Sequence, residues 1–130
     1  MNKEDLLKLL KTLNLPEGDY YILGGSSLVI YGLKATTGDL DLCVSYELFQ
    51  TLIETYNIDL SKVNHCGFYP LNALIEVVPN KKENLTFKIV DGLPVEDLKT
   101  ILDFKRQRNT EKDRQMIPKI KEYLKSHPNY

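Results

Sequence analysis

Residues 20–44 read YYILGGSSLVIYGLKATTGDLDLCV. The apolar run at 20–23 predicts a short buried strand. Gly24 and Gly25 predict a turn, because glycine alone takes left-handed backbone at no steric cost and lets other groups come close. The following SSLVIYGL is too short for periodicity to decide, but Ser26 or Ser27 as an N-cap favours a helix. The segment GDLDLCV then alternates: Leu40, Leu42 and Val44 point one way, and Asp39, Asp41 and Cys43 the other. A second strand is therefore predicted, with two carboxylates on one face.

Two like charges that close are costly unless a cation bridges them or one carboxyl keeps its proton. Hard divalent cations such as Mg²⁺ take oxygen ligands and leave coordination positions for phosphate oxygens. Asp39 and Asp41 thus read either as a metal platform or as a strand end meeting water. Gly24, Gly25 and Ser26 read either as a tight strand-to-helix turn or as a phosphate seat. The second reading rests on the free N–H groups and partial positive charge of a helix N-terminus. A nucleoside triphosphate with Mg²⁺ needs both a platform and a seat. Farther along, Glu76 stands alone in LIEVV. A carboxylate in a buried strand is expensive unless paired, hydrogen-bonded or metal-bound. Either its strand lies beside the Asp39–Asp41 strand, so that Glu76 joins the metal or serves as base for an attacking hydroxyl, or it faces water on an edge strand.

Around this block the chain alternates helix and strand signals. KEDLLKLLKTLNL has helical leucine spacing and is closed by Pro16 and Gly18. SYELFQTLIETYN predicts a helix capped by Ser45. Residues 57–73 carry weak periodicity and predict a turn and one weak strand. ALIEVVP and LTFKIV predict strands separated by a polar turn, and DGLP turns the chain again. PVEDLKTILDFKRQR predicts a helix with Pro94 near its start. NTEKDRQMIPKIKEYLKSH predicts another, kinked at Pro118. The sum is an α/β (α+β) fold, a mixed sheet flanked by helices, in one domain over residues 1–130.

Composition narrows the function. A net charge of −1 over 130 residues gives no global basic field for nucleic acid. Two cysteines make no disulfide framework, which suits a reducing, cytoplasmic setting. No apolar run approaches a membrane span. The eight tyrosines read mainly as core and boundary residues. The charged run at 103–115 reads as a phosphate grip or as a solvated face. His65-Cys66 lacks partners at metal-ligand spacing, and no nucleophile–base set accompanies the serines.

Leu23-Gly24-Gly25-Ser26 followed by Asp39-Leu40-Asp41 resembles the nucleotidyltransferase superfamily, the DNA polymerase β-like fold. More narrowly, Thr37-Gly38-Asp39-Leu40-Asp41-Leu42 and the closing PVEDLKTILDFKRQRNTEKD resemble small stand-alone bacterial nucleotidyltransferase-like proteins related to the AbiEii toxin group. The likeness spans residues 20–125, its specific part being the first block. The family's basic residue two positions before the Thr falls at Ala35, with Lys34 beside it. The resemblance implies the minimal nucleotidyltransferase fold and Mg²⁺ (or Mn²⁺) held by Asp39, Asp41 and Glu76. It implies an NTP seated at Gly24, Gly25 and Ser26 and touched by Lys105, Arg108 and Lys112. The acceptor would be RNA, a protein or a small molecule, and a toxin–antitoxin or phage-defence role, with an antitoxin or a second copy as partner, comes with the family. A domain that keeps this fold without catalysis, as a nucleotide-binding or protein-interaction module, is the alternative.

Overall fold

Helix α1 (Lys3–Leu13) opens on a capping box, in which Asn2 and Asp5 satisfy each other's backbone N–H groups. It buries Leu6 and Leu10. Asn14 ends it in the left-handed conformation, which Asn tolerates better than other non-glycine residues. The same device ends α3 at Asn57 and α4 at Asn109. The computed structural model describes residues 1–130.

After α1 come β1 (Tyr20–Leu23), α2 (Gly24–Tyr31), β2 (Leu40–Ser45) and α3 (Tyr46–Tyr56). Then follow β3 (Tyr69–Pro70), β4 (Ile75–Asn80), β5 (Lys88–Val90), β6 (Leu93–Val95), α4 (Leu98–Arg108) and α5 (Glu111–Ser126). The strands form one mixed sheet in the order β3-β4-β2-β1-β6-β5, so the α/β class read from the sequence is the class observed. β2 lies antiparallel to β1 and parallel to β4, and β1 is parallel to β6. No helix is long and apolar enough to cross a membrane.

The alternation in β2 fixes which face is buried. Leu40, Leu42 and Val44 are fully buried and join Ile22, Ile75 and Val77 in one apolar cluster with residues of α1 to α5. Each such side chain contributes about 1.5–3 kcal/mol by leaving water. Asp41 and its register neighbours therefore project from the opposite face.

Three expectations need correction. The glycines form no separate turn: α2 begins at Gly24, its N-cap is Leu23, and neither serine caps it. Asp39 lies one residue outside β2. Pro94 does not start a helix; it sits in β6, and α4 starts after Asp97, whose carboxylate accepts from Thr100 N–H. Strand β6 escaped notice because three residues with a proline give no periodicity. The local signal was the Asp91-Gly92 pair, both at positive φ, which closes the β5–β6 hairpin. Pro118 lies inside α5, as its spacing implied.

Candidate active site

Asp41 and Glu76 are direct register partners on neighbouring parallel strands, and Leu40 N–H donates to Leu74 O one step earlier (2.8 Å). Their side chains leave the same face of the sheet. β4 is an inner strand, flanked by β2 and β3, so Glu76 is not an edge residue. It is half-buried, as is Asp41, whereas Asp39 is exposed. The Asp41 carboxyl is pushed up from its ordinary 3.8 to about 6, first by burial, then by the negative charges of Glu76 and Asp39. Its environment thus disfavours its own charge, the condition a bound cation would relieve.

Across from Asp41, Leu23 is its partner on β1, which brings the start of α2 beside the carboxylate. A Cβ built on Gly24 would lie 3.3 Å from Asp41 Oδ2, and Gly24 sits at φ +66°. Both facts demand glycine. Gly24→Ala is expected to cost about 1–2 kcal/mol for the left-handed backbone alone and to push the Asp41 carboxylate aside. Thermal melting checks the first effect and a variant structure the second.

Ser26 is fully buried. Its Oγ donates to Leu23 O (2.8 Å) and accepts from Asp41 N–H (3.1 Å). Ser26 thus ties α2 to β2 beneath the carboxylates. Gly25 is part-exposed, and a Cβ there would meet Lys34 Nζ and Thr37 Oγ1, each at 3.3 Å. Lys34 therefore supplies the cation beside the helix start. The family pattern, with its basic residue one position later, was the signal for it.

The late basic residues are arranged otherwise than as a free phosphate grip. Asp113 is fully buried on α5. It accepts from Arg108 Nε (2.8 Å) and Nη2 (2.6 Å), Lys105 Nζ (3.2 Å), and both Thr110 N–H (3.0 Å) and Thr110 Oγ1 (2.7 Å). The Arg108 guanidinium, with Thr110 and Lys105, holds the Asp113 carboxyl well below the usual carboxylate range. Lys105 and Arg108 are thus bound up in a latch between α4 and α5, while Lys112 is exposed on the first turn of α5.

Sequence reasoning missed Glu96, which follows β6. Its Oε1 accepts from Gly24 N–H (3.2 Å), its N–H donates to Ile22 O (2.8 Å), and its carbonyl accepts from Tyr31 OH (2.7 Å). Burial raises its carboxyl above the ordinary 4.5, while the Gly24 N–H and the Lys105 charge pull the other way.

As they stand, no three acidic, His or Cys side chains are close enough together to hold a metal ion. The chemistry of the donors, three hard oxygen ligands with the central one destabilised by its neighbours' charge, nevertheless fits a divalent cation. Asp39 is exposed and lies one residue before β2. A cavity of about 270 Å³, lined by Leu13, Pro16, Asp19, Leu48, Leu52 and Tyr56 among others, lies at the far end of β1 and contains none of these groups. No protein-family model, curated protein or solved structure matches the chain.

Proposed function

We propose that the protein is a Mg²⁺-dependent nucleotidyltransferase of the DNA polymerase β-like fold, working in the cytoplasm with Mg²⁺ or Mn²⁺. The single observation that carries this reading is the register of Asp41 against Glu76, with the glycine start of α2 packed on Asp41. Asp39, Asp41 and Glu76 are the residues that would hold the metal, which when bound neutralises phosphate charge. Gly25 and Lys34 face the triphosphate. In the reaction an acceptor hydroxyl oxygen bonds to the α-phosphorus, the bond from that phosphorus to the bridging oxygen breaks, and pyrophosphate leaves. The hydroxyl proton passes to Glu76. RNA, a protein side chain and a small molecule all offer such a hydroxyl, and a toxin–antitoxin or phage-defence setting follows from the family likeness alone.

The test is transfer of α-phosphate label from each NTP with Mg²⁺, with and without total RNA, alongside calorimetric binding. Wild type is expected to transfer label, and Asp39→Ala and Asp41→Ala are expected to transfer none. Lys34→Ala is expected to bind NTP about tenfold more weakly, the worth of a hydrogen bond to a charged group. Absence of both transfer and Mg²⁺-dependent NTP binding sinks the reading. One observation favours the alternative, a nucleotide-binding or protein-interaction domain without catalysis: the three carboxylates are not gathered into a shell. NTP binding without transfer under every acceptor condition is the outcome that selects it.

A further inference from the structure

We infer that Glu96 is a positioning residue: its carboxylate holds the Gly24 N–H and through it sets where Asp41 stands. Four hydrogen bonds and one close approach carry this. The Glu96 backbone is fixed to β1 through Ile22 O and to α2 through Tyr31 OH, so its side chain springs from an anchored point. Its Oε1 takes the first amide of α2, a group with no partner inside the helix. That amide belongs to Gly24, whose left-handed backbone leaves so little room that a Cβ there would lie 3.3 Å from Asp41 Oδ2. Two residues on, Ser26 Oγ receives the Asp41 N–H. The start of α2 is thus pinned on one side by Glu96 and on the other by Asp41.

The charged and titratable groups around Glu96 come from several elements. Lys105 faces it from α4, Asp97 adjoins it, and Tyr21, Tyr31 and Cys43 face it from β1, α2 and β2. Lys105 is the only cation among them, and it is also held by Asp113. A half-buried carboxylate here, rather than an apolar side chain, is explained by the amide it satisfies. A further consequence concerns the ligand: with the Gly24 amide occupied by the protein's own anion, a phosphate is left the Gly25 side of the turn, where Lys34 stands.

The amide part of the test needs no ligand. Hydrogen exchange of the Gly24 and Asp41 amides is followed in wild type, Glu96→Ala and Glu96→Gln, each checked for folding by near-UV circular dichroism. Glu96→Ala is expected to speed exchange at both amides about tenfold, and Glu96→Gln, which keeps the acceptor oxygen, is expected to restore protection. Unchanged Asp41 exchange in Glu96→Ala overturns the inference, because the coupling to Asp41 is then absent. Equal loss in both variants overturns it too. If Glu96→Ala does not fold, Glu96→Gln decides, with wild-type protection expected and loss of protection at Gly24 and Asp41 overturning it. Mn²⁺ titration adds a second readout, which rests on the metal reading above: Glu96→Ala is expected to bind about tenfold more weakly, as when a supporting partner of a ligand is lost, and Glu96→Gln close to wild type. Wild type that binds no Mn²⁺ counts against the metal reading, and the exchange rates alone then decide the role of Glu96.

Discussion

Asp41→Asn is expected to melt at a higher temperature than wild type at pH 8 and, on the proposed function, to lose nucleotidyl transfer. The carboxyl of Asp41 rises from its ordinary 3.8 to about 6 in the folded chain. Below 3.8 both folded and unfolded chains hold the proton, and the group contributes its full share of stability. Between 3.8 and about 6 the unfolded chain releases its proton while the folded chain keeps it, so stability falls as pH rises. Above about 6 the folded protein carries a charge that its surroundings disfavour. Asparagine keeps the shape and removes that charge. Because Asp41 is part-exposed, solvent screens much of the effect, and the gain is expected to be about 1 kcal/mol, or about 3–5 °C in melting temperature. Below about pH 4 the two proteins are expected to melt together. Transfer activity is expected to fall about a thousandfold or more, on the scale of losing one electrostatic anchor of a transition state. An Asp41→Asn protein less stable than wild type at pH 8 rules out the charge conflict.

Asp113→Ala is expected to be the most destabilising single change in the molecule outside the apolar core. The carboxylate accepts five hydrogen bonds while fully buried, and Lys105 beside it is only 13% exposed. Removing one partner of a buried ion pair costs about 3–5 kcal/mol. Arg108 is 49% exposed and can turn to water, so the lower end applies. Loss of the capping box with Thr110 is part of the same change. A drop of about 10 °C in melting temperature is expected at neutral pH. The folded-state carboxyl lies below the ordinary 3.8, so its contribution is complete above that value and is lost as pH falls beneath it. The gap between variant and wild type is therefore expected to narrow only below about pH 4. A difference under about 2 °C at pH 7 contradicts the latch.

What the sequence made legible was whatever depended on near neighbours or on strand period. The β2 alternation located the core face and the acidic face, and Ser45 announced the start of α3. The lone Glu76 among apolar residues left two readings open, and the pairing of β4 with β2 is what places it beside Asp41. Ser26 reads locally as an N-cap, but its hydroxyl instead receives the Asp41 N–H, a partner supplied by another strand. The family resemblance implies phosphate contacts for Lys105 and Arg108; Thr110-x-x-Asp113 is a capping-box pattern that also sets an acid beside them. Glu96 lies in the PVEDLK stretch, but nothing local marks its carboxylate as the acceptor of an amide 72 positions earlier.

That long reach has a consequence for modularity. Gly24 and Asp41 come from one strand–helix–strand stretch, but the acceptor for the first amide of α2 arrives only with β6, which docks in parallel against β1. The motif that looks portable on paper, a double glycine and two aspartates within twenty residues or so, is therefore not a transplantable cassette. Moving it into another scaffold means carrying β6 along with β1 and β2, and a fragment that stops before β6 contains every residue of the apparent signature but lacks the carboxylate that takes the first amide of α2.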